Sequence, residues 1–67
     1  MVTKCRRERR RRGLSLMMLG AQTGIHPGEL SRIELGKTQP YPSHRKRLAD
    51  ALGIPERELQ RRVPADD

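Results

Sequence analysis

Cationic side chains are the residues of this chain with the clearest chemistry. Fifteen lysines and arginines stand against eight acidic residues in a chain of 67 residues, which gives a formal net charge of +7. Six of the arginines fall within residues 6–12. Guanidinium groups at this density favour a polyanionic partner, and nucleic acid is the first to consider. A basic face that only serves solubility is the alternative.

Residues that perform catalysis or hold metals are few and scattered. Cys5 is the single cysteine, and the two histidines, His26 and His44, are far apart without metal-ligand spacing. The chain has no phosphate-binding glycine loop, no nucleophile beside a base and no carboxylates at catalytic spacing. We therefore expect a protein that is not an enzyme and that needs neither a cofactor nor a metal. Cys5 is expected in the core, with a redox role as the alternative because neighbouring arginines lower a thiol pKa.

The same composition predicts the location of the protein and its relation to membranes. One cysteine excludes an internal disulfide and fits a reducing, cytoplasmic setting. No stretch approaches the roughly 20 apolar residues of a membrane span, so no membrane partner is expected. The arginine-rich start of the chain lacks the apolar region of a signal peptide.

Two helices joined by a tight turn are predicted within residues 15–36. Ser15 is a good N-cap for the first helix, and Gly24 suits the left-handed conformation that ends it. His26 takes the next cap position, with Pro27 at the first helical position. The apolar spacing gives an inward face made of Leu19, Ile25, Leu30 and Ile33.

Three further helices are predicted around this pair. Residues 1–12 favour a first helix, residues 42–52 a fourth, and Pro55 opens a short fifth that Leu59 anchors. The inward face of the fourth helix consists of Leu48, Ala49 and Leu52. With no strand signal, the prediction is an all-α fold, a compact five-helix bundle with one small core. It forms one domain over residues 1–62, followed by a frayed tail over residues 63–67.

The order of these motifs carries a resemblance that covers residues 4 to 60. The matching residues are Arg9, Gly13-Leu14-Ser15, Leu19-Gly20, Gly24-Ile25, Ser31-Arg32-Ile33-Glu34-Leu35-Gly36-Lys37, Pro40, Leu48-Ala49-Asp50-Ala51-Leu52-Gly53-Ile54 and Leu59. With these the chain resembles the Cro/phage-repressor (XRE-type) helix-turn-helix family. The resemblance implies a small transcriptional regulator that binds double-stranded DNA with sequence preference. It would bind as two copies, a homodimer on half-sites about one helical turn apart.

The resemblance also implies which side chains meet DNA. The third helix is the recognition helix, and its base contacts would be His26, Ser31 and Arg32. Arg32 can donate two hydrogen bonds to guanine, with a phosphate contact or exposure to solvent as the alternatives. Contacts to the DNA backbone would come from Arg9, Arg10, Arg12, Ser15, Lys37, Thr38 and Gln39. Arg9 would also form a structural ion pair with Glu34, the alternative being one more solvated arginine.

One segment departs from the family pattern. The family commonly has a polar residue after the serine cap of the second helix, where this chain has Leu16, Met17 and Met18. Together with Leu35 they form a possible protein interface, for self-association or for a partner. Contact with thymine methyl groups and ordinary packing are the alternatives. A protein-interaction adaptor is thus the second functional hypothesis, and a basic RNA-binding adaptor is the third. Tyr41, the single aromatic residue, argues against stacking on single-stranded bases.

Overall fold

The computed structural model describes residues 1–65. In chain order the elements are β1 (Val2–Thr3), α1 (Lys4–Arg11), α2 (Leu16–Thr23), α3 (Pro27–Glu34), α4 (Pro42–Leu52), a 3₁₀ turn (Glu56–Glu58) and β2 (Arg62–Val63). Helices α2 and α3 pack on each other and α2 packs on α4, while α1 and the C-terminal segment close the remaining side. This arrangement presents α3 at the surface on a small helical scaffold.

The turn between α2 and α3 confirms the helix-turn-helix prediction. The Ser15 hydroxyl accepts a hydrogen bond from the Met18 amide at 3.0 Å, so it caps α2. Gly24 ends that helix with φ of 74°, the left-handed conformation that favours glycine. A Cβ atom on Gly20 would lie 2.7 Å from the Ile25 carbonyl oxygen. A glycine at position 20 therefore allows the backbone after the turn to pass directly over α2.

The predicted inward faces form the core. Its fully or almost fully buried members are Cys5, Leu19, Ile25, Leu30, Ile33, Leu48, Ala49, Leu52 and Leu59. Burial of a leucine or isoleucine side chain stabilises a fold by about 1.5–3 kcal/mol, so these few residues supply most of the drive to fold. The apolar residues at the edge of the core are Leu14, Leu16, Ala51 and Ile54.

A two-stranded sheet replaces the predicted start of the first helix. Val2 pairs with Val63 and Thr3 with Arg62 in antiparallel register, so α1 begins at Lys4 instead of at the chain start. The Thr3 side chain caps α1 by accepting from the Arg6 amide. The all-α prediction is wrong at these strands, because two-residue strands are too short to show an alternating pattern.

The predicted fifth helix is a single 3₁₀ turn, so residues 1–65 contain four α-helices. Leu59 anchors this segment as expected and is buried. Its carbonyl accepts from the Cys5 amide at 2.9 Å, and the Arg61 carbonyl accepts from the Lys4 amide at 2.8 Å. The C-terminal segment thus provides acceptors for free amides in the first turn of α1. If this segment were an α-helix, its carbonyls would form hydrogen bonds within that helix instead.

The tail was expected to fray from Val63 onward. In the structure Val63 lies in β2 and is buried against the core side of the sheet, so order extends past the predicted boundary. Pro64 and Ala65 follow as exposed residues, and residues 66–67 of the predicted tail lie outside the described residues.

Candidate nucleic-acid interface

Polar and cationic groups occupy the solvent side of α3. His26 and Arg32 are exposed there, and Ser31 is half-buried beside them. The opposite side of the helix is buried and consists of Leu30, Ile33 and Glu34. The structure therefore places the three predicted base-contact residues on the exposed part of one helix.

His26 caps this helix with its ring. Its backbone is extended, with φ of −60° and ψ of 135°, and its Nδ1 accepts a hydrogen bond from the Gly28 amide at 2.9 Å. The interaction is the one that serine or asparagine usually makes at this position. It fixes the ring against the first turn of α3 while the rest of the ring stays exposed.

The Arg32 side chain extends back toward Gly28 in the first turn of α3. Nη1 of Arg32 lies 3.9 Å, and Nδ1 of His26 3.1 Å, from the point that a Cβ atom on Gly28 would occupy. The imidazole and the guanidinium therefore both lie on the Cβ side of Gly28, near its bare backbone. Within residues 1–65 Arg32 forms no ion pair, so its charge is available to an incoming anion.

The predicted backbone contacts of α2 and the loop after α3 are accessible in different degrees. Ser15 is exposed, and although its oxygen accepts from the Met18 amide, its hydroxyl proton remains free to donate. Lys37 is exposed, and its own amide donates to the Arg32 carbonyl at 2.9 Å, which sets the loop directly after α3.

The next two loop residues complete this group. Thr38 is half-buried, and its carbonyl accepts from the Gln60 side chain at 2.7 Å, so the loop is tied to the C-terminal segment. Gln39 is exposed beside an open depression that Arg57 and Gln60 also line. A phosphate could reach Gln39 more readily than Thr38.

Arg9 has an internal partner for each guanidinium nitrogen. Nε donates to Glu34 Oε2 at 2.6 Å, Nη2 to Glu34 Oε1 at 3.1 Å, and Nη1 to the Leu14 carbonyl at 2.7 Å. The residue is 9% exposed. The ion pair that the resemblance implied is present, and these bonds use three of the five N–H donors of the guanidinium, so the phosphate contact of Arg9 stays a prediction.

The other two arginines of the run differ from each other. Nη2 of Arg12 donates to the Leu52 carbonyl at 2.5 Å, so this guanidinium covers the C-terminal end of α4. A cation at a helix C-terminus is favourable, and this use competes with the predicted phosphate contact. Arg10 is exposed and forms no ion pair within residues 1–65. Arg10 is therefore the member of the predicted set in this run that is best placed for a phosphate.

Two arginines that the sequence did not single out lie at the turns flanking α3. Arg47, on α4, places Nη1 3.0 Å from the Cβ position of Gly24 before the helix. Arg62, on β2, places Nη2 3.0 Å from the Cβ position of Gly36 after it. Neither forms an ion pair within the described range. Arg47 could have been suspected from the polar face of α4, whereas Arg62 depends on a strand pairing that carries no sequence signal.

The two acidic side chains of α3 are directed toward other helices. Oε2 of Glu29 lies 2.8 Å from Nδ1 of His44, and the ring of Tyr41 meets the His44 ring edge-on with centroids 5.4 Å apart. Glu34 is buried against Arg9. Both carboxylates of α3 are thus paired with basic groups of other helices, which leaves the exposed face of α3 cationic.

The apolar segment that departs from the family pattern divides in two. Leu16 packs against the edge of the core, as the alternative of ordinary packing expected. Met17 is 74% and Met18 50% exposed, and Leu35 is 47% exposed at the end of α3. These three side chains, and not Leu16, are available to a partner.

Cys5 is a core residue in the structure. Burial, and secondarily the nearby Glu34 carboxylate, raise the pKa of its thiol to about 12. A thiol in this state is not a thiolate nucleophile at neutral pH, which contradicts the redox alternative. Within the described residues, no group of three or more histidine, cysteine or acidic side chains is placed to hold a metal ion. None of the helices found there has the length and apolar character to cross a membrane.

A family model described as a helix-turn-helix domain matches residues 4–61. Searches of curated proteins and of solved structures found no match. Because the family model spans most of the chain, the protein belongs to the helix-turn-helix domain family.

Proposed function

We propose that this helix-turn-helix domain binds double-stranded DNA with α3 in the major groove. The observation that carries the proposal is that His26 and Arg32 are both exposed near Gly28, on a helix whose two carboxylates are paired with groups of other helices. An α-helix fits the width of the major groove, and its exposed side chains then reach base edges.

Cations around α3 would hold the duplex in register. Arg47 and Arg62 lie at the turns before and after the helix, and Lys37 follows it on the loop. Contacts of this type act on phosphates and set affinity, while the side chains in the groove set sequence preference. The cationic groups near α3 are thus placed to contact phosphates of the two DNA strands that border the major groove.

The finer role is that of a small transcriptional regulator without catalytic activity. By the resemblance of its motifs to the Cro/phage-repressor (XRE-type) family, two copies would bind half-sites about one helical turn apart. A protein with this role works in the compartment that holds the DNA, which we infer to be the cytoplasm.

Salt titration of duplex binding tests the central claim. With about 4–6 phosphate contacts per copy, the logarithm of the association constant should fall with the logarithm of salt concentration at a slope of roughly −4 to −5. Fluorescence anisotropy with a labelled random duplex measures the slope, and a single-stranded DNA and an RNA duplex of equal length serve as controls. Absence of binding at low salt, a flat response, or preference for RNA contradicts the proposal.

Selection from a random duplex pool tests the regulator role separately. A sequence-preferring dimer should enrich two similar half-sites at a fixed separation near one helical turn. Enrichment of a single half-site indicates a monomer, and a pool that does not change in sequence indicates non-specific binding.

Docking of a protein on α2 is the second candidate function. It is favoured by the exposure of Met17 and Met18, 74% and 50%, on a helix whose apolar side is otherwise in the core. Under this alternative, nucleic acid binding is secondary, and the apolar pair rather than Arg32 determines the partner. The salt titration separates the two functions, because a methionine contact has little dependence on ionic strength.

A further inference from the structure

The cap of α3 determines what the recognition surface can read. We propose that His26 is held as the tautomer protonated at Nε2, and that His26 and Arg32 together present hydrogen-bond donors that select guanine at the base facing the first turn of α3. This inference rests on the proposed DNA binding.

The tautomer follows from one hydrogen bond. A backbone N–H can only donate, so Nδ1 of His26, at 2.9 Å from the Gly28 amide nitrogen, must accept and carries no proton. A neutral imidazole has one donor and one acceptor nitrogen. The proton therefore lies on Nε2, which is on the side of the ring away from the helix. The capped His26 side chain offers a donor to whatever it meets.

The charged group nearest to the bare backbone of Gly28 besides the ring is a donor. The guanidinium of Arg32, with Nη1 3.9 Å from the Cβ position of Gly28, has N–H donors only. Pro27 and Gly28 have no polar side chain. Glu29 is the nearby acceptor in sequence, but its carboxylate contacts His44 at 2.8 Å. The half-buried Ser31 hydroxyl can donate as well as accept, so it is compatible with the same target.

Two donors near the same turn of α3 match one base edge in the major groove. Guanine presents two acceptors there, N7 and O6, whereas adenine pairs one acceptor with a donor, cytosine presents a donor, and thymine has one acceptor beside a methyl group. Gly28 contributes to the match because a Cβ at that position would lie 3.1 Å from Nδ1 and 3.3 Å from Cε1 of the ring. The glycine keeps room for the ring to lie over the turn.

Long-range proton–nitrogen NMR of the free protein tests the tautomer without DNA. We expect the His26 signals of a ring protonated at Nε2, and we expect His44 to serve as an internal contrast. Nδ1 of His44 faces the Glu29 carboxylate and must carry a proton, so its signals should differ from those of His26. A His26 ring protonated at Nδ1 would overturn the proposal.

Base substitution in the selected duplex tests the specificity. A guanine analogue with carbon in place of N7 keeps its base pairing but loses one acceptor, and it should weaken wild-type binding by about tenfold, as the loss of one hydrogen bond does. His26→Ser keeps a capping oxygen but removes the Nε2 donor, so the analogue should weaken the binding of this variant less than that of the wild type. The same analogue placed outside the contacted half-site is the control.

Each outcome separates the inference from the function on which it rests. Enrichment of guanine with the expected loss on the analogue supports the inference. Sequence-specific binding without guanine, or with no effect of the analogue, overturns the inference and leaves DNA binding intact. No duplex binding at low salt overturns both, while the NMR result still reports the tautomer.

Discussion

Arg9 and Glu34 form a two-pronged ion pair that joins α1 to the last turn of α3, with distances of 2.6 Å and 3.1 Å between paired atoms. The backbone at Glu34 is held from the same direction, because the Thr3 hydroxyl donates to its carbonyl at 2.7 Å. The end of α3 is therefore fixed by charge and by a buried hydrogen bond. This contact gives α3 its orientation on the rest of the domain.

Removing either partner of this pair should destabilise the domain strongly. Glu34→Gln and Arg9→Met each leave a buried group unpaired, and we expect losses of about 3–5 kcal/mol, well above the effect of an exposed pair. Urea unfolding of both single variants and the double variant gives the coupling energy. Lys46 and Asp50 form an exposed pair at 3.3 Å and provide the control cycle, with an expected coupling of about 0.5 kcal/mol or less. Additive effects for Arg9 and Glu34 would contradict the account of α3 orientation.

Arg32 and Lys37 should affect DNA binding in different ways. Arg32→Ala removes a donor from the groove and should reduce binding to the selected sequence by about 1–3 kcal/mol, with a smaller effect on random DNA. Lys37→Ala should weaken both alike and lower the salt slope by about one. Anisotropy titrations on the two duplexes measure this, and Lys46→Ala is the matched control because Lys46 is already paired with Asp50. Equal losses for Arg32→Ala on both duplexes would make it a phosphate contact.

The helices and the core could be read from the sequence because their signals are local. Ser15, Gly24 and Pro27 mark helix ends through the geometry that each residue type favours, and these ends are present in the structure. The ion pair of Arg9 came from the resemblance alone, since the arginine run gives no reason to choose one member.

The rest depends on contacts between distant parts of the chain. The pairing of Val2 with Val63 spans nearly the whole sequence and involves strands too short for a pattern. Arg12 donates to the Leu52 carbonyl, and Arg62 lies near Gly36. Both contacts can be predicted only when the strand pairing and the helix packing are known. For the same reason the sequence could not separate internal arginines from those left for a phosphate.

Cys5 should react slowly with thiol reagents, and its raised pKa should make the folded domain less stable at alkaline pH. Its folded pKa is raised to about 12 from 9.0, so its contribution is fully present below pH 9 and is lost as pH rises toward 12. Between pH 9 and 10 the wild type should lose about 1 kcal/mol more than Cys5→Ala, since one pKa unit corresponds to about 1.4 kcal/mol. Urea unfolding at both values of pH tests this. Alkylation of the native protein as fast as that of the urea-unfolded chain would contradict the buried thiol.

The Lys4–Glu58 pair predicts a loss of stability in acid. A hydrogen bond from Lys4, at 2.5 Å, and the charge of Lys4 lower the pKa of Glu58 below 4.5. A carboxyl group whose pKa is lower in the folded than in the unfolded state stabilises the fold above pH 4.5. This stabilisation is lost as the pH falls through the pKa of the folded state. Glu58→Gln should therefore lose less stability than the wild type between pH 5 and pH 3. Urea midpoints across this range test the pair, with Asp50→Asn as an exposed control. Parallel curves for wild type and Glu58→Gln would remove the pair from the acid response.

The side chains of Met17 and Met18 lie on the first turn of α2, two residues and one residue before the buried Leu19. Successive residues of a helix are about 100° apart, so Met17 points nearly opposite to the core. Its exposure of 74% agrees with that geometry, while the half-buried Leu16 packs on the core edge. An apolar side chain exposed to water at Met17 adds little to folding, so its replacement tests binding apart from stability.

Replacing both methionines by glutamate should separate binding from folding. We expect the melting temperature of Met17→Glu/Met18→Glu to stay near that of the wild type, because neither side chain is in the core, while self-association or partner binding measured by sedimentation weakens. Leu16→Glu is the matched control, since it places a charge against the core and should lower the melting temperature. Added carboxylates near a DNA phosphate would also weaken duplex binding, so Met17→Gln/Met18→Gln serves as the uncharged version. If the double glutamine variant unfolds the domain, or leaves sedimentation and binding unchanged, then these methionines do not form an interaction surface.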